Sequence, residues 1–106
     1  MPVRDLELHV LLAVLAVGED AYPLTIRDAI VERTGRRVSR AAVFITLERL
    51  EDKGLVRSWY GDPTPVRGGR AKRFFRATSS GVAAAREALD LLASMSAGLD
   101  TQLKRS

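Results

Sequence analysis

Eight consecutive apolar residues, Val10 to Val17 (VLLAVLAV), constrain this chain more than any other feature. Eight residues are too few to cross a bilayer. Asp5 and Glu7 precede them, where a secretory leader would carry positive charge. The run is therefore expected inside a buried helix over 4–17. Leu8, Leu11, Leu12 and Leu15 form one stripe of it at helical spacing, and Val10, Val14 and Val17 widen that stripe. A helix apolar on most of its surface must be covered on most sides. The 106 residues suffice for one domain with a modest core, so much of the rest has to pack around this helix.

Glycine and proline punctuate the remainder of the chain. Gly18 stops the first helix, and GEDAYP is a turn. Pro23 suits the first turn of a second helix, because the N–H it lacks would be unpaired there. That helix carries Leu24, Ile26, Ala29 and Ile30 and ends at Gly35. After the short basic link RRV, Ser39 has the character of an N-cap, and a third helix runs to about Lys53, closed by Gly54. Val43, Thr46, Leu47 and Leu50 fall on one side of it, the expected buried face. LVRSWYGD (55–62) and AKRFFRA (71–77) read as strands, joined by the proline- and glycine-rich PTPVRGG. Thr78 caps a last helix expected over about 79–104.

The order helix, helix, helix, hairpin, helix, with a tight connection between the second and third helices, is that of a winged helix-turn-helix. The expected fold class is thus mainly α with a β-hairpin: a winged helix-turn-helix over 1–78, plus a C-terminal dimerisation helix over 79–106, in one compact unit. Charge agrees with it. Arg67, Arg70, Lys72, Arg73 and Arg76 lie within eleven residues that contain no acid, and RTGRRVSR (33–40) holds four more arginines. These two patches contain nine of the seventeen cations, so the remaining eight face thirteen acids. Two basic patches on an acidic body form an electrostatic footprint for a polyanion. Arginine binds phosphate in bidentate fashion, and neutralising phosphates releases counterions.

Two blocks, VSRAAVFITLERLEDKGLV (38–56) and GGRAKRFFRATSSG (68–81), resemble the recognition helix and the wing of the PadR family of bacterial transcriptional regulators. AYPLTIRDAIVERTG upstream is similar to that family's second helix, so the likeness covers about 21–81. The resemblance implies a dimeric DNA-binding repressor that touches double-stranded DNA with the start of the third helix and with the wing. Phe44 stands where many relatives have tyrosine, and Arg40 where proline is common; both departures bear on the operator sequence. Some relatives take aromatic or drug-like effectors at the dimer interface, but no residue here can be assigned to an effector.

The residues themselves say more about contacts. Arg40 near the start of the third helix is placed to read guanine or hold a phosphate. Ala41 and Ile45 are small or apolar on a face that should meet solvent, which contact with thymine methyl groups would explain; the alternative is that Ile45 covers a neighbouring helix. Arg40, Phe44 and Arg49 flank this face, and Ser39, a cap by character, can also touch phosphate. In the wing, Arg67 and Arg70 lead, followed by Lys72 and Arg73, which strand alternation sends to opposite faces. Trp59 and the two phenylalanines are expected to anchor the hairpin to the body. Glu48, Glu51 and Asp52 would repel phosphates, so the far end of the third helix should tilt away from DNA.

Val82, Ala85, Leu89, Leu92, Ser96, Leu99 and Leu103 follow heptad spacing, with Ala84, Ala88, Leu91 and Met95 as a second stripe. One stripe can pack on the body and the other on a partner. With Leu8, Leu11, Leu12 and Leu15 of the first helix, Leu89, Leu92, Leu99 and Leu103 are the expected homodimer contacts, and two copies would match a palindromic operator. No catalytic set, phosphate loop or cofactor motif is visible. Without cysteine and with His9 as the one histidine, a zinc site has no ligands, so neither metal nor enzyme activity is expected. A bacterial cytoplasmic regulator without membrane insertion is the expected function. A small-molecule sensor whose DNA binding is released by an effector, or a winged helix used for protein contact, are the alternatives.

Overall fold

The computed structural model describes residues 4–62 and 71–104. The elements run α1 (Asp5–Val17), a single 3-10 turn (Gly18–Asp20), α2 (Pro23–Thr34), α3 (Arg40–Asp52), β1 (Val56–Tyr60), β2 (Arg73–Ala77), α4 (Ser79–Ser96) and α5 (Asp100–Leu103). The hairpin is antiparallel, pairing Val56 with Ala77, Ser58 with Phe75 and Tyr60 with Arg73. No helix among the described residues is long and apolar enough to cross a membrane.

α1 lies at the centre and packs against α2, α3, β2 and α4. Val10 and Leu11 are fully enclosed, with Leu8, Ala13 and Val14 nearly so. Around them sit Ile26 and Ile30 of α2, Val43, Leu47 and Leu50 of α3, Val56 and Phe75 of the hairpin, and Ala84 and Ala85 of α4. Phe75 is the largest fully buried side chain, and its N–H donates to Ala21 O at 2.8 Å. Phe75, its backbone bond and the buried Val56 thus fix the base and middle of the hairpin to the body. Trp59 is not such an anchor. It lies on the opposite, outward face of β1, 37 % exposed, and stacks on Phe74 across the strand pair at 6.2 Å.

The local signals set the helix ends. Ser39 Oγ accepts from Ala42 N–H and Thr78 Oγ1 from Gly81 N–H, each at 3.0 Å, so both serve as N-caps. α3 closes with Gly54 at φ 76°, where Gly54 N–H bonds Glu51 O and Leu55 N–H bonds Leu50 O. That paired arrangement requires a left-handed residue, which glycine adopts at no steric cost. The last helix is shorter than its heptad spacing suggests. α4 stops at Ser96, the chain turns through Gly98 at φ 79°, and only α5 lies beyond. Leu99 and Leu103 therefore do not continue the α4 seam.

Among the described residues, one charged group is buried among the helices. Glu7 is 3 % exposed, and its carboxylate accepts two bonds from Lys53 Nζ at 2.8 and 2.9 Å and one from Arg4 N–H at 2.9 Å. Burial pushes its pKa up, but the Arg4 N–H and the Lys53 ammonium outweigh this and hold it below the ordinary glutamate value. A carboxyl depressed in the folded state stabilises the fold above its unfolded pKa, and that stability is lost as pH falls through the folded value.

This packing has two measurable consequences. Lys53→Met removes the ammonium that offsets burial at Glu7. The variant should therefore lose most stability near neutral pH, where the carboxylate is charged and buried. The gap to wild type in denaturant titrations followed by circular dichroism should narrow as pH falls and Glu7 is protonated. At Gly81, an added Cβ would fall on the Leu55 carbonyl oxygen, which already accepts from Thr78 N–H. Gly81→Ala should therefore cost about 2 kcal/mol in denaturant titrations, as overpacking of a close approach does, while Ser80→Ala beside it should be nearly neutral.

Candidate nucleic-acid interface

α3 divides into two faces. Val43, Thr46, Leu47 and Leu50 are buried, as their spacing predicts. Arg40, Ala41 and Ile45 are exposed, Ile45 at 51 %, so about half of the Ile45 surface is left open within the protomer. The link into α3 is braced from both sides. Arg27 Nε donates to Val38 O at 3.2 Å, and Arg36 Nη1 lies 3.0 Å from both Asp5 Oδ2 and His9 Nδ1. His9 is thus a structural neighbour of Arg36. Arg37 and Arg40 enter no ion pair among the described residues and flank the start of the helix. Arg37 was legible only as part of a basic patch, not as an individual contact.

The hairpin carries a second cationic surface, on its outward face. Arg57 and Arg76 sit directly opposite one another, a like-charge pair that costs stability unless an anion meets it. Both guanidinium groups lie near the Trp59 ring, at 5.1 and 6.0 Å from its centroid. Phe74 meets Tyr22 edge-on at 5.7 Å, and Lys72 Nζ is 4.4 Å from the Tyr22 ring centroid. Arg57 had no sequence signal beyond its place in a strand; the register supplies it. Arg67 and Arg70, the leading wing candidates, lie outside the described residues.

Arg73 differs from its expected role. It points inward, with its side chain only 20 % exposed, and Nη2 donates to Glu51 Oε1 at 2.7 Å. Nε donates to Ser58 Oγ at 3.1 Å, and Nη1 reaches Glu48 Oε2 at 3.5 Å. Its guanidinium lies 5.5 Å from the half-buried Phe44 ring. A phosphate would have to displace these acids, so Arg73 is removed from the contact set. The same pairs correct the reading of Glu48 and Glu51, which here face a cation.

The expected dimer residues also separate. Leu8 and Leu11 belong to the core of one protomer and have no surface for a partner. Leu12 is partly buried, and Leu15 is 46 % exposed. On α4 the division runs along the helix and not between its two stripes. Gly81, Ala84 and Ala85 pack on the body, whereas Leu89, Leu91, Leu92 and Met95 are all exposed, as are Leu99 and Leu103 beyond them. Leu12, Leu15, Val82, Ala85 and Leu89 line one shallow groove between α1 and α4. No cluster of three or more metal-ligating side chains occurs among the described residues.

Solved structures share this architecture. A transcriptional regulator from Clostridium thermocellum superposes with a TM-score of 0.73 at 18% identity, covering 92% of both chains. A PadR family regulator from Eggerthella lenta gives 0.69 at 22% identity, covering 95% of this chain and 89% of its own. A PadR-like regulator from Bacillus cereus gives 0.70 at 16% identity, covering 95% and 93%. At these identities the likeness establishes the fold. No curated protein matches the sequence. The family assignment comes from the sequence profile of the Transcriptional regulator PadR-like family, which matches residues 11–87. That span holds α3, the hairpin and the packed part of α4, and the chain belongs to the PadR-like family of transcriptional regulators.

Proposed function

We propose that this protein is a repressor that binds a palindromic DNA operator as a homodimer, in a bacterial cytoplasm. The observation that carries the reading is the exposed start of α3. There Ala41 and Ile45 form an exposed apolar stripe that begins beside Arg37 and Arg40, cations that enter no ion pair among the described residues. An exposed β-branched residue framed by arginines suits a major groove, where thymine methyl groups and phosphates alternate. The cations of the outward hairpin face, and Arg67 and Arg70 between the strands, extend the footprint. A winged helix used only for protein contact would have no need of this unpaired charge.

Dimerisation is supported by α4. From Leu89 to Ser96 every residue is exposed, although two turns of helix with little tertiary packing gain little stability in water. Four large apolar side chains on that segment, with Leu15 beside it, form the kind of patch that a partner covers. A second copy supplies the same patch and closes the interface about a two-fold axis. It would also set two copies of α3 one helical turn of DNA apart, about 34–36 Å.

Binding to DNA from the protein's own upstream region, measured at several salt concentrations beside a scrambled duplex, tests the reading. Specific binding is expected, with Ile45→Glu losing at least about tenfold for the operator, the value of a base contact. Arg40→Ala should flatten the salt slope by about 0.9 for the phosphate it no longer neutralises. Equal, weak binding to both duplexes would reject it. Separately, Leu89→Glu combined with Leu92→Glu should sediment as a folded monomer and lose on the order of 100-fold in operator affinity, because two linked half-sites no longer act together.

A further inference from the structure

Arg73 is the one wing cation among the described residues turned away from solvent, and its partners come from three elements. α3 contributes Glu51, Glu48 and Phe44; β1 contributes Ser58; β2 contributes Arg73 itself and Phe75, whose ring centroid lies 5.1 Å from the guanidinium carbon. Ser58 completes a closed triangle. Its Oγ donates to the Glu51 carboxylate, 2.8 Å from Oε2 and 2.9 Å from Oε1, while accepting from Arg73 Nε. The planar fork of arginine can hold a carboxylate and a hydroxyl at once; an ammonium cannot reproduce that geometry.

Position along the hairpin gives the triangle its consequence. Phe75 and its bond to Ala21 fix the hairpin near its middle. Arg73 lies two residues nearer the turn, in the last strand pair, opposite Tyr60. Phe74 and Lys72 add contacts to Tyr22 on the outward face, but these leave the inward face beyond Phe75 free to swing against α3. A second tie at Arg73, made to the C-terminal half of α3, removes this freedom. We propose that Arg73 is a positioning residue, locking the wing to the recognition helix through Glu51 and Ser58 so that both meet DNA at one fixed spacing. This role rests on the DNA-binding reading above. It makes Glu51 part of the DNA-binding apparatus through Arg73, without a DNA contact of its own.

Simple electrostatics and positioning make opposite predictions for Glu51. Removing a negative charge beside DNA should tighten binding if Glu51 only repels phosphate. If it holds Arg73, Glu51→Gln should weaken binding. The expected result is a loss of about tenfold in operator affinity for Glu51→Gln and for Arg73→Lys, within the range for residues coupled in one network. The salt slope should be unchanged, and the double variant should be no worse than the worse single one. Tighter binding by Glu51→Gln would overturn the proposal. So would Arg73→Lys binding as wild type while Arg73→Ala lowers the slope by about 0.9, the signature of a direct phosphate contact. Amide hydrogen exchange supplies a readout that needs no DNA. In Arg73→Lys the Gly61 N–H, which closes the hairpin onto Lys72 O at 2.8 Å, should exchange faster while the α1 amides keep their protection. Unchanged exchange at Gly61 would overturn the lock even if wild type proved not to distinguish operator from scrambled DNA. That last result alone would reject the DNA-binding reading and not the lock.

Discussion

Burial of α1 is the constraint on which the other elements depend. It packs against α2, α3, β2 and α4, so each takes its orientation partly from the same helix. Val10 and Leu11 are fully enclosed by side chains from other elements. Truncating such residues costs several kcal/mol, on the order of 2–5 for leucine to alanine, a large part of the stability of a small domain. The buried Glu7–Lys53 pair is the polar exception, and it joins α1 to the turn after α3. Whatever holds α1 in place therefore also sets the angle at which α3 leaves the body.

Charge is arranged around that scaffold by a simple division. Cations facing the body have partners: Lys53 on Glu7, Arg36 on Asp5, Arg73 on Glu51. Arg37, Arg40, Arg57, Lys72 and Arg76 are exposed and enter no ion pair among the described residues. A folded chain could relieve the opposed Arg57 and Arg76 by placing an acid beside them. Their retention is consistent with an anionic partner outside the chain. Of the acids in the second half of α3, Glu48 and Glu51 are turned toward Arg73, while Asp52 at the end of the helix is exposed and enters no ion pair among the described residues.

Much of the fold was legible because its signals are local. Gly35, Ser39, Gly54 and Thr78 act within one turn of themselves, and each marks a helix boundary where its type predicts one. Period alone likewise found the buried face of α3. The hidden features depend on partners distant in sequence. Arg73 and Glu51 are 22 residues apart, and only the folded hairpin reveals the pair. Two clues were nevertheless present: strand alternation put Lys72 and Arg73 on opposite faces, and the acids of α3 had no assigned partner. Leu8 and Leu11 share a stripe with Leu12 and Leu15, and no periodicity says where along a helix a neighbour stops covering it. For α4 the heptad spacing continues past Ser96, but the helix ends there and the chain turns through Gly98, because apolar spacing alone does not mark where a helix stops.

DNA recognition of the kind proposed requires two copies of this chain to present two identical reading surfaces, each an α3 start with its wing, to one duplex. Hydroxyl-radical footprinting of the protein on its own upstream DNA tests that geometry most directly. The expected pattern is two equivalent protected segments related by a dyad, on one side of the duplex and about one helical turn apart centre to centre. A single protected segment without a symmetric mate, at protein concentrations where the chain is dimeric, would contradict it.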